Sequence, residues 1–333
     1  MNLAKFPRRE YTYGATPIEK LERLSAHLNR VNIYIKRDDL LMGLLGGGNK
    51  VRQLEFLMAE AISTGADTVI TCGAVQSNHC RLTLAASNKE GLDCHLVIEE
   101  RIPGSYSKFT GGNSFLYGLM GVKSVNIVPG GSDMYGAMQK VANSLEAQGR
   151  KPHILPMAGS SAIGALGYVA CAREIIQQLY EAGLEIDTIV CPSGSGGTQA
   201  GLLSGIVGSG SDIPVVGVAT SRGEEAQREL VFKRCEETSD LLGLKNRPSM
   251  DDVVVKGNYI GVGYALPTKE MVDAVKLLAR TEGILFDPVY TGKAMSGLID
   301  MAQNGYFKPG QNVLFLHTGG TPVLYAYPAD LFE

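Results

Sequence analysis

The chain has no tryptophan, only five histidines, and little net charge: 31 basic side chains against 34 acidic ones leave a formal -3. Neither sign dominates a long stretch, so there is no electrostatic footprint for a nucleic acid or an acidic membrane surface, and neither is an expected partner. No apolar run approaches the roughly 20 residues that a membrane span requires, and the N-terminal MNLAKFPRREYTYG has no apolar signal core. A cytoplasmic location is therefore expected. The six cysteines (Cys72, Cys80, Cys94, Cys171, Cys191 and Cys235) form no CxxC pair and have no histidines at metal-ligand spacing. They are expected to be buried small hydrophobes in a reducing compartment, with no bound metal.

With 333 residues, 44% of them hydrophobic, the chain can bury a substantial core in one large or two medium domains. Short β-branched runs (31-VNIYIK, 68-TVITCG, 94-CHLVIE, 125-VNIVPG, 187-DTIVCPS, 214-PVVGVAT, 312-NVLFLHTG) read as strands. Between them lie segments of helical period beginning near 50, 78, 133, 164, 198 and 268, and a charged amphipathic helix from 222. This alternation is the pattern of an α/β fold with parallel sheets flanked by helices. Several strands end in Gly, Ser or Thr, where ligands of open α/β sheets sit. The small-residue run 158-AGSSAIGALG suggests a boundary near 160, and another is expected near 50. Residues 1–50 plus 161–333 then form a large domain and 51–160 a small one, with the active site in the cleft between them.

Four constellations carry chemistry. In 46-GGGNK, three glycines free the backbone for positive φ, and Lys50 stands where a helix begins. The positive end of the helix dipole disfavours its ammonium and favours a nucleophilic amine; a flexible loop with a surface lysine is the alternative. The stretch 191-CPSGSGGTQAGL follows a strand and opens a helix, suiting a phosphate monoester, with Ser193, Ser195 and Thr198 as hydroxyl donors. It lacks the GxGxxG spacing of a dinucleotide site. In 73-GAVQSNHCR, Ser77, Asn78 and His79 form either a carboxylate cradle or a plain N-cap. Tyr264 and Tyr290 lie in Gly- and Pro-rich loops, as pocket walls or as core tyrosines, and Thr318 follows the last strand beside His317.

In this order and spacing, together with 7-PRRE, 16-TPIEKL, KRDD, GALGY, GYALP, DPVYTGK and FLHTGG, these pieces resemble the tryptophan-synthase-like (fold type II) pyridoxal-phosphate enzymes along nearly the whole chain. They are most similar to the group of D-cysteine desulfhydrase, L-cysteate sulfo-lyase and 1-aminocyclopropane-1-carboxylate (ACC) deaminase. The resemblance implies a homodimeric lyase acting on a small amino acid. It further implies that Lys50 joins pyridoxal 5'-phosphate as a Schiff base, that Asn78 meets the ring hydroxyl, and that Ser195, Gly196, Gly197 and Thr198 hold the phosphate. Thr318 faces the ring nitrogen, and Ser77, Asn78 and His79 receive the substrate carboxylate. Freed Lys50 moves the α-proton, Ser77 and Tyr290 stand beside the chemistry, and Tyr264 and Tyr290 line the substrate pocket.

Within the group, ACC deaminases are expected to carry DPVYEGK, the acid partnering the ring nitrogen. Here Thr291 takes that place, which favours α,β-elimination from D-cysteine or L-cysteate over ring opening. The segments 99-EERIPGSYSKFTGGNSFLYG and 129-PGGSDM are more similar to the L-cysteate branch. ACC deaminase, a serine or threonine dehydratase, and a catalytically silent amino-acid or nucleotide binding module remain the alternatives.

Overall fold

A computed structural model describes residues 1–109 and 111–332; Thr110, within the sequence segment 99-EERIPGSYSKFTGGNSFLYG, lies outside the described residues. Among the described residues ten strands form two sheets. Strands β1 (Ile18–Lys20), β2 (Asn32–Lys36), β7 (Thr188–Ser193), β8 (Val215–Ala219), β9 (Val254–Lys256) and β10 (Asn312–Leu316) make a six-stranded sheet ordered β1-β2-β10-β7-β8-β9. Strands β3 (Thr68–Ala74), β4 (Asp93–Glu100), β5 (Ser124–Pro129) and β6 (Pro152–Ile154) make a four-stranded sheet ordered β5-β4-β3-β6. Every pairing is parallel except the short edge strand β1, which runs antiparallel to β2. The first sheet draws its strands from 18–36 and 188–316, the second from 68–154.

The apolar runs follow from cover on both faces: β7 and β8 are buried at every position, as parallel strands between helix layers require. All six cysteines are unpaired and buried. No helix among the described residues is long and apolar enough to cross a membrane. The charged helix Glu224–Leu242 buries Val231, Cys235 and Leu242 on its inner side.

The helix that carries Lys50, Lys50–Ser63, is tied to the first sheet through a buried ionic network. Arg52 gives Nε to one oxygen of Asp38 and Nη2 to the other, both at 2.8 Å, and reaches Glu174 of the helix Ala162–Ala182 at 2.8 Å. Lys36 also donates to Glu174, and Tyr168 to Asp38 at 2.7 Å. Burial alone would raise the Asp38 carboxyl, but the Arg52 charge and hydrogen bonds, with Lys36 behind them, hold it below the usual carboxylate range. The small-residue run near 160 has a packing reason: a Cβ on Gly167 would stand 2.3 Å from the Arg52 carbonyl oxygen, so only glycine lets the two helices approach.

Removing one partner from such a network leaves the others charged and buried. Arg52→Gln is expected to cost about 3–5 kcal/mol of unfolding free energy, read from urea denaturation. A loss below about 1 kcal/mol would mean that the network does not anchor this helix.

Candidate active site

Lys50 is the first residue of its helix, and the three glycines before it take positive φ (76, 56 and 110°), carrying the chain sharply into the helix. Its Nζ donates to the carbonyl of Ala158 at 2.8 Å. Ala158 itself holds φ 56°, a left-handed conformation that costs a non-glycine residue energy and turns this carbonyl toward the amine. Burial lowers the Lys50 pKa to about 7, so burial, more than the helix dipole, sets its nucleophilic state.

Lys50 lines a cavity of about 240 Å³ whose wall includes Cys72, Gly73 and Ala74 at the end of β3, Pro192 and Ser193 at the end of β7, and Thr318 after β10. Strand ends of both sheets thus meet at the amine. Opposite it the helix Gly197–Gly208 begins, after Gly196 at φ 85°. Its first-turn N–H groups have no helical acceptors, which makes an anion site. Two contacts join this turn to its neighbours: Asn49 Nδ2 donates to Thr198 Oγ1 at 3.0 Å, and Ser160 Oγ to the Ser195 carbonyl at 2.6 Å.

Ser77, Asn78 and His79 open the helix Asn78–Glu90 on the other wall. Ser77 Oγ accepts from Cys80 N at 3.1 Å as an N-cap, which leaves its own proton to donate into the cavity. Asn78 Oδ1 is held by Arg81 at 2.7 Å and Asn113 at 2.9 Å, so its amide donor is the end that remains. His79 is buried, pairs with Thr71 at 2.9 Å, and is pushed down to about 3 by burial and by Lys50; it is neutral at ordinary pH. Tyr264 and Tyr290 share a short hydroxyl–hydroxyl hydrogen bond in the wall, and burial raises both phenols.

Ser195, Gly196, Thr198, Ser77, Asn78, His79, Tyr264, Tyr290 and Thr318 therefore gather around Lys50 in one cavity. Gly197 stands directly behind, as the first residue of its helix. Two expected positions differ. Ser193 lines the cavity but has no free hydroxyl: it donates to Gln199 at 2.6 Å and accepts from Gln227 at 2.8 Å. Thr291 is not in the wall. Its hydroxyl lies on the fully buried Asp287 at 2.7 Å, whose carboxylate also caps the N–H groups of Val289, Tyr290 and Thr291 at the start of the helix Thr291–Gln303. His317 is a packed residue, stacked on Phe286 at 4.3 Å.

Sequence reasoning missed Ala158, Arg81, Arg101 and Arg222. Arg81 carried a signal, as the last letter of GAVQSNHCR: it hydrogen-bonds the carbonyls of Leu45 and Gly47 while fixing Asn78, so one guanidinium shapes both the glycine turn and the amide. No aspartate or glutamate lines the cavity among the described residues.

The family model for pyridoxal-phosphate dependent enzymes matches residues 9–319. The chain is 45% identical over 327 residues to D-cysteine desulfhydrase of Yersinia enterocolitica, covering 98% of this chain and 97% of that one. It is 44% identical over 331 residues to D-cysteine desulfhydrase of Klebsiella pneumoniae, covering 99% of each. Among solved structures, an ACC deaminase homologue superposes with a TM-score of 0.89 at 38% identity, covering 99% of this chain and 96% of that one. O-ureido-L-serine synthase shares the fold at a TM-score of 0.66 and 18% identity, with 96% of this chain and 93% of that one covered.

The lowered pKa has a direct readout in the cofactor-free protein. Amine-reagent labelling of Lys50 is expected to rise with pH through a midpoint near 7. An ordinary lysine has its midpoint near 10.4. Site-resolved labelling against pH checks this, and a midpoint above about 9 would contradict the burial argument.

Proposed function

The chain belongs to the pyridoxal-phosphate dependent enzyme family, and from that premise we propose that it is a carbon–sulfur lyase that eliminates the β-substituent of a three-carbon amino acid. D-cysteine would yield pyruvate, hydrogen sulfide and ammonia. One observation carries the reading: a neutral-poised Lys50 amine between an anion-binding helix start and the Ser77–His79 helix start, in a chain similar over its whole length to D-cysteine desulfhydrases.

The residues present fit the cofactor. A Cβ on Gly197 would come within 3.3 Å of Ser160 Oγ and Gln53 Nε2, so the first turn is bare backbone. Beside it the Gln53 amide is buried with neither polar atom paired. When bound, pyridoxal phosphate supplies an aldehyde that condenses with amines and a ring that draws electrons from the adjoining carbon. The Gly197 turn, with Ser195 and Thr198, would hold the phosphate. The free Asn78 donor would meet the ring hydroxyl, and the Thr318 hydroxyl the ring nitrogen.

The same wall would sort the substrate. The N–H groups and hydroxyl of Ser77–His79 suit its carboxylate, and the paired phenols of Tyr264 and Tyr290 close the pocket and exclude water. Among the described wall residues Lys50 is the group poised to take a proton from Cα near neutral pH, since burial and the Lys50 charge push His79 down to about 3, which leaves it too weak a base to hold a proton there. Because no carboxylate among the described residues lines the cavity, the ring nitrogen would meet only a hydroxyl, and a weaker electron sink suits loss of a good leaving group better than ring opening. We assign residues 1–50 with 161–333 and residues 51–160 as the large and small domains, and a homodimer in the cytoplasm as the working form.

Purified holoenzyme incubated in parallel with D-cysteine, L-cysteine, D-serine and 1-aminocyclopropane-1-carboxylate is expected to release pyruvate with sulfide from cysteine. Formation of 2-oxobutyrate from the cyclic amino acid as the dominant reaction would overturn the reading. Lys50→Ala is expected to lose the cofactor's visible absorbance and on the order of a thousandfold or more in turnover.

A further inference from the structure

Two buried guanidinium groups stand beside the site, and their surroundings are opposite. Burial works against the charge of Arg52, yet the carboxylates of Asp38 and Glu174 hold its pKa well above the ordinary value. Arg81, on the helix Asn78–Glu90, is held by neutral oxygens instead. It donates to the carbonyls of Leu45 at 3.1 Å and Gly47 at 2.8 Å, and its Nη1 to Asn78 Oδ1 and Asn113 Oδ1, both at 2.7 Å. Among the described residues it has no ion pair, and burial pushes its pKa down to about 10. It remains a cation near neutral pH, and a buried cation without a counter-ion is costly, since only an opposite charge offsets its loss of water.

The ionisable groups around Arg81 do not supply that charge. Tyr117 gives its hydroxyl to the carbonyls of Val75 and Ser77, and burial keeps the phenol protonated. Asp287 acts on Arg81 only at longer range, and its carboxylate already accepts from the N–H groups of Val289, Tyr290 and Thr291 and from the Thr291 hydroxyl. The remaining direction is the cavity, and Asn78 leads to it. Asn78 lines the wall, with Arg81 one layer behind. Its Oδ1 also accepts from Asn113 Nδ2 at 2.9 Å, and Asn113 is fixed in turn by the Gln76 carbonyl at 2.8 Å and by Gln76 Oε1 at 2.7 Å. The Asn78 amide therefore cannot turn over, and its Nδ2 is the end left for the cavity. A cation on the oxygen end of an amide polarises it and strengthens its N–H as a donor, most of all toward an anionic acceptor.

We propose that Arg81 is a positioning residue that acts through Asn78 to hold the cofactor's ring hydroxyl as an anion, so that the counter-ion of this buried guanidinium arrives with the cofactor. The assignment rests on the placement of Asn78 at the ring hydroxyl given above and is independent of which amino acid is eliminated. The ring oxygen accepts from Asn78 Nδ2, and the proton it gives up goes to the nitrogen contributed by Lys50. A cation behind the amide favours the charged form of that oxygen over the protonated one.

The test titrates cofactor-free protein with pyridoxal 5'-phosphate and with its 3-deoxy analogue, in the unmodified chain, Arg81→Gln and Arg81→Lys, and records the absorbance of each complex. The analogue keeps the aldehyde and the phosphate but lacks the ring oxygen. A variant that only disturbs the glycine turn before Lys50 weakens both ligands alike and cancels from the ratio of their Kd values. The natural cofactor is expected to bind the unmodified chain about 30-fold more tightly than the analogue, and this ratio to fall about tenfold in Arg81→Gln with partial recovery in Arg81→Lys. The visible band of the cofactor complex, which belongs to the anionic oxygen, is expected to lose intensity in Arg81→Gln to the near-ultraviolet band of the protonated hydroxyl. A folded Arg81→Gln whose band is unchanged and whose ratio stays within about threefold of the unmodified chain overturns the proposal. So does a change confined to KM for D-cysteine. Should both variants fail to fold, a preference for the cofactor below about threefold in the unmodified chain overturns it as well. An unmodified chain that develops no visible band with the cofactor would overturn the assignment of Lys50 and Asn78 itself, on which the proposal stands.

Discussion

The buried guanidinium of Arg52 is the contact on which the site's geometry depends. It lies two residues beyond Lys50 on the same helix and takes both oxygens of Asp38 and both of Glu174. Asp38 follows β2 in the first sheet, and Glu174 belongs to the helix Ala162–Ala182. The lysine's helix is thereby registered against a strand and a helix at once. Buried ion pairs of this kind add little net stability because desolvation offsets the attraction, but a misplaced partner is heavily penalised. That penalty fixes position, and position is what an amine needs, since a displacement of about 1 Å can cost a hundredfold in rate.

Around that anchor the glycine turns close on each other. A Cβ on Gly319 would stand 2.7 Å from the Gly48 Cα, and Asn49 N donates to the Thr318 carbonyl at 3.0 Å. The turn before Lys50 and the turn after β10 are therefore one packed unit, and neither tolerates a side chain. Asn49 then reaches Thr198, so that the amine, the last strand and the phosphate-type turn are linked through one asparagine. The Ala158 carbonyl adds a contact of opposite sense: it stabilises the protonated amine, yet burial prevails and the pKa settles near 7.

Much of this was legible in the sequence where a local pattern is a direct consequence of burial. Strands such as β7 and β8 announce themselves because both faces are covered, which leaves continuous apolar β-branched runs, while the edge strand β5 is legible from its β-branched residues although none of its positions is buried. Strands β1, β6 and β9 have three residues each, too few for any period to show. The helix Thr291–Gln303 was hidden because its cap is Asp287, which precedes the first helical residue by four positions and a proline, so the stretch reads as loop. Thr291 looked like a pocket residue for the same reason: sequence shows which residue occupies a position but not that a buried carboxylate has claimed its hydroxyl. Ser193 failed likewise, its partners Gln199 and Gln227 arriving from two different helices. Arg101 and Arg222 gain meaning only from the cavity they face.

The absence of acidic side chains from the cavity wall among the described residues unites these features. Three carboxylates behind the wall hold something in place: Asp287 caps the Tyr290 turn, Glu99 grips Arg101, and Asp38 grips Arg52. An acid in the wall would raise the lysine's pKa by favouring its ammonium, and would repel both a phosphate and a substrate carboxylate. Keeping acids one layer back leaves a wall with Lys50, Arg101 and Arg222 and, among the described residues, no carboxylate, while the Lys50 amine stays half deprotonated near neutrality. The same layer lets neutral groups, the Thr318 and Ser77 hydroxyls and the Asn78 amide, provide direction without charge.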